Sequence, residues 1–195
     1  MPTQTFLNLN EDKQNQVFNA LIKEFSDHRL MDAQVARIIK DCSIARGSFY
    51  KYFDDINDSY QYVLKRVLRK VHFDVFAQLK SEPTDSLHAF YVATESFINK
   101  LKDSDYEQFY RQYVLFNQYE LKHVEYDYNN LPDDKLILVV DGQKISDMKT
   151  IVLTYKWASR AAHQTIRTVL NGGDEKQALS DFANLLKLIN RGLVN

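Results

Sequence analysis

The sequence predicts an all-α fold in which three short helices are followed by a larger set of longer ones. Three observations lead there. Only five glycines and three prolines punctuate 195 residues. Residues 3–46, 84–131 and 143–171 contain neither. Apolar residues recur at three- and four-residue steps through most of the chain, the spacing of one helix face. Strand-rich folds need frequent turn residues, and nucleotide-binding sheets need glycine-rich loops. Both are disfavoured here.

The elements follow in order. Val17, Leu21 and Phe25, with Phe18 and Ile22 beside them, mark a first helix near 11–27. Val35, Ile38 and Ile39 mark a short second one, broken by Asp41, Cys42 and Ser43. Residues 44–53 read as a short third helix. Asp55 is suited to cap a fourth, with Asp58 as an acidic capping-box partner. Tyr60, Val63, Leu64, Val67, Leu68, Val71 and Val75 keep one of its faces apolar to about residue 80. Pro83 ends it. Leu87, Phe90, Tyr91, Thr94, Phe97, Ile98 and Leu101 form the inner face of a fifth helix. A long aromatic helix is expected from Tyr106 to Val124. Residues 129–145 read as an ordered connector. Leu136–Val140 has strand character there, but no partner strand is evident, and Asp141-Gly142 is a turn signal. Ser146 or Asp147 caps a helix to about Leu170, which Gly172-Gly173 ends. Asp174 opens the last helix. The change in helix length places a domain boundary at 55/56, with domains 1–55 and 56–195.

Composition excludes several classes. Apolar residues make up 45% and charged residues 26%, values of a chain that folds without staples. The longest aliphatic run is five residues, Leu136–Val140, against the roughly 20 that a membrane-spanning helix needs. Residues 1–10 lack the basic and apolar regions of a secretory leader. The single cysteine, Cys42, permits no internal disulfide and no thiolate zinc site. A cytoplasmic home is expected, with no membrane partner, no metal and no cofactor. His72, His88, His123 and His163 form no i,i+4 ligand pair, and Glu120, Glu125 and Asp127 read as a solvated face. No nucleophile–base pair is present, so an enzyme is not expected.

Net charge is −1, but its distribution is uneven. Residues 61–80 carry five basic groups against one acidic, with Lys65, Arg66, Arg69 and Lys70 close together. Such a run is ordinarily a solvated face unless a nucleic-acid motif lies beside it. Residues 33–53 supply one. The pattern is helix, three-residue turn, short helix. The second helix holds Arg46, Gly47, Ser48, Tyr50, Lys51 and Tyr52. Between Arg29 and Lys51 five basic residues stand against two acidic ones, net +3. A helix-turn-helix places its second helix in the major groove, where Arg and Lys reach base edges and hydroxyls reach phosphates. Gly47 inside that helix costs about 1 kcal/mol relative to alanine, which implies a close backbone approach. Two helices of an ordinary bundle would share the same spacing.

The segment Ile38 to Phe53 resembles the signature of the TetR/AcrR family of bacterial transcriptional regulators, roughly I-A-x-x-A-G-V-S-x-G-x-I/L-Y-x-Y/H-F. Ile38, Ile44, Gly47, Ser48, Phe49, Tyr50, Tyr52 and Phe53 carry the match. Phe25 and the ending from Leu170 to Gly192 also resemble the family. Four positions depart from it. Ser43 replaces the usual turn glycine, Ala45 the usual Ser or Thr cap, Arg29 a helix-ending glycine and Ile56 a phosphate-binding lysine.

The resemblance implies an N-terminal three-helix DNA-binding domain followed by a helical ligand-binding and dimerisation domain. It implies that Gln34, Ala45, Arg46, Gly47, Ser48, Tyr50 and Lys51 face double-stranded DNA, that Phe49 and Phe53 are core, and that Tyr52 does one or the other. It implies a homodimer through the last two helices, with Ala158, Ser159, Ala161 and Ala162 permitting close approach there or in the core. It implies a small-molecule effector, with Phe97, Phe109, Tyr113, Phe116 and Trp157 as pocket candidates, although aromatic residues at helical spacing are commonly plain core. The helix starting near Asn57 would carry the motion. The expected function is a regulator, most simply a repressor, of a near-palindromic operator. The alternative is a helical interaction protein or co-regulator with weak or no direct DNA binding.

Overall fold

The computed structural model describes residues 2–71, 85–102, 104–119, 121 and 137–194. Among them are nine α-helices and one two-stranded hairpin, so the fold is all-α as expected. The helices are α1 (Gln4–Leu7), α2 (Glu11–Asp27), α3 (Val35–Asp41), α4 (Arg46–Tyr52), α5 (Ile56–Lys70), α6 (Ser86–Lys102), α7 (Glu107–Leu115), α8 (Met148–Leu170) and α9 (Glu175–Val194). The strands are β1 (Leu138–Val140) and β2 (Gln143–Ile145). The expected extension of α5 to residue 80, the expected helix beyond residue 121, residues 129–136, and His72, Glu120, His123, Glu125 and Asp127 lie outside the described residues.

The chain divides into two compact units, Met1–Val71 with Ser104–Lys122, and His72–Asp103 with His123–Asn195. Packing therefore groups α5 with the N-terminal helices.

In the first unit α2 starts where Asn10 Oδ1 accepts the Lys13 N–H at 2.9 Å, and Glu11 and Asp12 sit in its first turn, where the helix dipole favours acids. Its buried face includes Val17, Phe18, Leu21 and Phe25. Phe25 meets Tyr60 of α5 edge-on at 4.9 Å, and Tyr60 meets Phe109 of α7 at 5.5 Å. Buried Asn117, in a 3₁₀ turn after α7, ties the same core together. Its side chain donates to the Tyr60 hydroxyl at 3.2 Å and accepts the Leu30 N–H at 3.0 Å. Asp55 caps α5, accepting the Asp58 N–H at 2.7 Å. The return bond from Asp58 reaches the N–H of Asp54, one residue before the cap. The helix α1 has no counterpart in the sequence reading. Thr3 caps it, and fully buried Phe6 packs on Phe53, Tyr62 and Tyr52 at 5.1–5.6 Å.

In the second unit Leu87 and Phe90 of α6, Leu138 and Val140 of β1, Ile151, Tyr155, Ala158 and Ala162 of α8, and Phe182 and Leu186 of α9 share one core. Ala158 and Ala162 are thus core residues. The Ser86 hydroxyl donates to the Ile137 carbonyl at 3.2 Å and accepts the Val139 N–H at 2.9 Å; Tyr155 donates to the same carbonyl at 2.7 Å. Asp147 and Asp174 cap α8 and α9. The expected unpaired connector is corrected in its second half. Leu138, Val139 and Val140 pair antiparallel with Ile145, Lys144 and Gln143. Asp141 and Gly142, at φ 50° and 77°, make the tight turn whose two positive φ angles match the strand twist.

Candidate nucleic-acid interface

The turn between α3 and α4 is built by backbone geometry. Ser43 N–H donates to the Lys40 carbonyl at 3.3 Å, and Ile44 N–H to the Ile39 carbonyl at 3.1 Å. This pair of bonds is a Schellman ending, which puts the residue after the C-cap in the left-handed region. Ser43 is that residue, at φ 50°. A glycine would take this conformation without a Cβ penalty, and Ser43 takes it with one. Ala45 then starts α4 from an extended conformation without a side-chain hydrogen bond.

The helix α4 has two faces. Phe49, Tyr52 and Phe53 are buried. Ala45, Arg46, Gly47, Tyr50 and Lys51 are exposed, and Ser48 is half-buried. Arg46 Nη2 approaches the Tyr50 hydroxyl at 3.4 Å, with its guanidinium 5.7 Å from the ring centroid. A Cβ added at Gly47 meets nothing within 4 Å, so no neighbour in the chain demands glycine there. Gly47 is the second residue of α4, in its first turn and not in mid-helix. Gln34 is exposed at the start of α3. Tyr52 is placed differently from the expected DNA-facing residues. Its ring is 9% exposed and packs edge-on against Phe6, so its surroundings are those of a core residue.

Two contacts hold the helix pair against the rest of the unit. Glu24 of α2, buried, accepts from Arg37 and from the Gln34 N–H. The Lys51 and Tyr52 carbonyls accept from the Thr3 hydroxyl at 2.6 Å and the Thr3 N–H at 2.9 Å. Neither contact was anticipated. A glutamate within the apolar stripe of α2 was the available signal for the first.

The ion pairs that reach this stretch offset one another, since Glu24 and Lys23 both come from α2, and its net charge stays at +3. Arg37 is paired with Glu24, and Arg29 stacks on Phe116 at 3.9 Å. Lys23 pairs with Asp41 at 2.7 Å. Lys40, Arg46 and Lys51 remain exposed with no ion pair among the described residues. Cys42 is fully buried and its Sγ lies 3.1 Å from the Ile38 carbonyl. Burial pushes its thiol up, away from the reactive thiolate.

The five aromatic pocket candidates fall in both units. In the first, Phe109 is core, Tyr113 is half-buried, and Phe116 lies under Arg29. In the second, Phe97 is core and Trp157 is 54% exposed. None of the five lines the second unit's cleft of about 280 Å³ between Leu87, His88, Tyr91, Leu186 and Lys187.

No protein-family model matches the chain, and no curated protein matches it. Solved structures do. A TetR family transcriptional regulator from Chloroflexus aurantiacus J-10-FL is 17% identical, covers 98% of both chains and superposes with a TM-score of 0.51. A TetR transcriptional regulator from Rhodococcus sp. RHA1 is 15% identical, over 91% of this chain and 94% of that one, with a TM-score of 0.40. At such identities the likeness is one of fold, and across 98% of its length the chain shares the fold of the Chloroflexus TetR family regulator.

Proposed function

We propose that this chain is a TetR-like transcriptional regulator that binds a near-palindromic DNA operator as a homodimer. One observation carries the reading. The outer face of α4 presents Arg46, Gly47, Tyr50 and Lys51 while its inner face is locked by Phe49, Tyr52 and Phe53. That is the arrangement a recognition helix needs: rigid behind, polar and cationic in front. Arg46 reaches a base edge or phosphate, and Tyr50 and Lys51 reach phosphates. Gln34 contacts the backbone, and Ala45 and Ser48 touch base edges or a thymine methyl. Residues 1–55 supply the DNA-binding function, and residues 56–195 the regulatory and dimerisation functions.

Dimerisation is supported by an exposed apolar stripe on the last two helices, Leu153 and Trp157 on α8, Leu185 and Leu188 on α9. In a two-fold dimer the recognition helices lie about 34 Å apart or a multiple of it. Repression is the simplest mode. A small effector acts by differential affinity for the DNA-competent state, and the second unit's cleft offers it room. The protein works in the cytoplasm; among the described residues no helix is long and apolar enough to cross a membrane.

The test is titration of the purified protein against its own upstream DNA at two salt concentrations, beside an Arg46→Ala/Tyr50→Ala variant. Tight binding to one near-palindromic fragment, steep in salt and lost in the variant, is expected. The uncapped start of α4 at Ala45 favours one second reading, a helical interaction protein without direct DNA affinity. Binding no stronger than nonspecific association would support it.

A further inference from the structure

We propose that the groove between α1 and α5 in the first unit is a binding site for an amphipathic organic anion, a carboxylate or phosphate carried on an apolar body. The cationic run Lys65, Arg66, Arg69 and Lys70 lines this groove, whose volume is about 470 Å³. Pro2, Leu7 and Tyr62 form its apolar walls. Small-molecule sites are typically about 300–1,000 Å³, mostly apolar, with a few placed polar groups.

Charge and burial choose the ligand class. Arg66 is half-buried, and its partners among the described residues are neutral. Its guanidinium donates to the Asn15 side-chain oxygen at 2.7 Å and the Tyr62 hydroxyl at 3.2 Å, and lies 4.0 Å from the Phe18 ring centroid. Among the described residues no carboxylate pairs with it. Lys65, Arg69 and Lys70 are exposed and make no ion pair among the described residues. Among the described residues the four cations on one wall therefore keep a positive field with no paired acid, which a groove focuses. An arginine already fixed by neutral partners loses little freedom on meeting an anion. The opposite wall argues against a bare inorganic ion. Leu7 is 50% exposed and presents apolar surface that an inorganic phosphate leaves wet. An anion with an apolar tail covers that surface and meets the cations together.

The probe is decanoate, titrated calorimetrically into the full-length chain, with inorganic phosphate and decanol as controls. Decanoate is expected to bind at least about tenfold more tightly than either control. Lys65→Glu/Arg69→Glu is expected to weaken decanoate by about tenfold or more, as is Leu7→Asp, with the helical circular dichroism signal unchanged. These positions are exposed, so the variants keep the fold. Absence of decanoate binding overturns the proposal. So does inorganic phosphate binding as tightly, or decanoate binding that the charge reversal leaves intact. If the charge reversal lowers DNA affinity and not decanoate affinity, the groove is a nucleic-acid backbone contact and the proposal falls. The site does not depend on the regulator reading, since decanoate affinity is measured without DNA.

Discussion

Arg37 of α3 grips the carboxylate of Glu24 on α2, with Nε at 3.0 and 2.9 Å from its two oxygens and Nη2 at 2.6 Å. The same carboxylate accepts the Gln34 N–H at 2.7 Å, at the first turn of α3. One buried acid therefore anchors the leading helix of the helix-turn-helix at its start. Glu24→Ala leaves that N–H without an acceptor, which costs about 1–3 kcal/mol. A lower melting temperature by several degrees is expected in a thermal melt. Arg37→Lys loses the forked geometry but leaves the Gln34 bond, so its melting temperature should fall less. Equal melting of Glu24→Ala and the parent chain would refute this anchor.

The left-handed Ser43 leads to a prediction of opposite sign. Its side chain is exposed, so Ser43→Gly removes no buried contact. Relief of the Cβ penalty outweighs the added freedom of the unfolded chain, for a net gain of about 0.5–1 kcal/mol. Urea unfolding should show a higher midpoint with unchanged slope. A lower midpoint would mean that the serine hydroxyl supports the turn.

How far these features were legible depended on length and on tertiary choice. Helices long enough for several turns announced themselves by apolar spacing, and the caps Asp55, Asp147 and Asp174 stand where side-chain chemistry put them. The helix α1 covers only four residues, too few for a period to emerge. β2 reads Gln-Lys-Ile, with no apolar alternation, although the Asp-Gly turn was a hairpin signal in plain view. The outer face of α4 followed from the motif. Tyr52 did not, yet its three-residue distance from Phe49 placed both on one face. Nothing local reveals that Arg37 finds Glu24 or that Arg29 finds Phe116, because those partners are set by helix packing.

Ala45 offers a direct gain in stability. It has the extended backbone of an N-cap, φ −69° and ψ 149°, and no side-chain acceptor. Ser48 N–H already donates to the Ala45 carbonyl at 2.9 Å, so Ala45→Ser supplies a hydroxyl for the N–H of Gly47, worth about 1 kcal/mol. A rise of a few degrees in melting temperature is expected. No rise would show that water already satisfies that group fully.

The dimer reading predicts a change of mass. Trp157 of α8 and Leu188 of α9 are 54% and 62% exposed, large apolar groups for a free surface. Light scattering after size exclusion should give twice 22.9 kDa for the parent chain. Trp157→Glu/Leu188→Glu should give a monomer with unchanged helicity, because both side chains lie outside the core. Operator affinity should fall when dimerisation is lost, since each half-site then binds alone. A parent chain that is already monomeric at micromolar concentration would remove the two-fold geometry from the proposal.

Gly47 separates the regulator from the interaction protein most sharply. A Cβ at this position meets nothing in the chain, and glycine costs about 0.5–1 kcal/mol relative to alanine in a helix interior, less in a first turn such as this one. Gly47→Ala is therefore expected to stabilise the protein, read as a higher melting temperature. If glycine is there to let α4 approach DNA, the same methyl group meets the nucleic acid. Operator affinity should then fall about tenfold or more, a loss of about 1.4 kcal/mol. Stability and affinity moving in opposite directions cannot come from damage to the fold. A stabilised variant with undiminished operator affinity would mean that the first turn of α4 stands clear of the DNA, and the contacts assigned to Arg46 and Tyr50 would have to be redrawn.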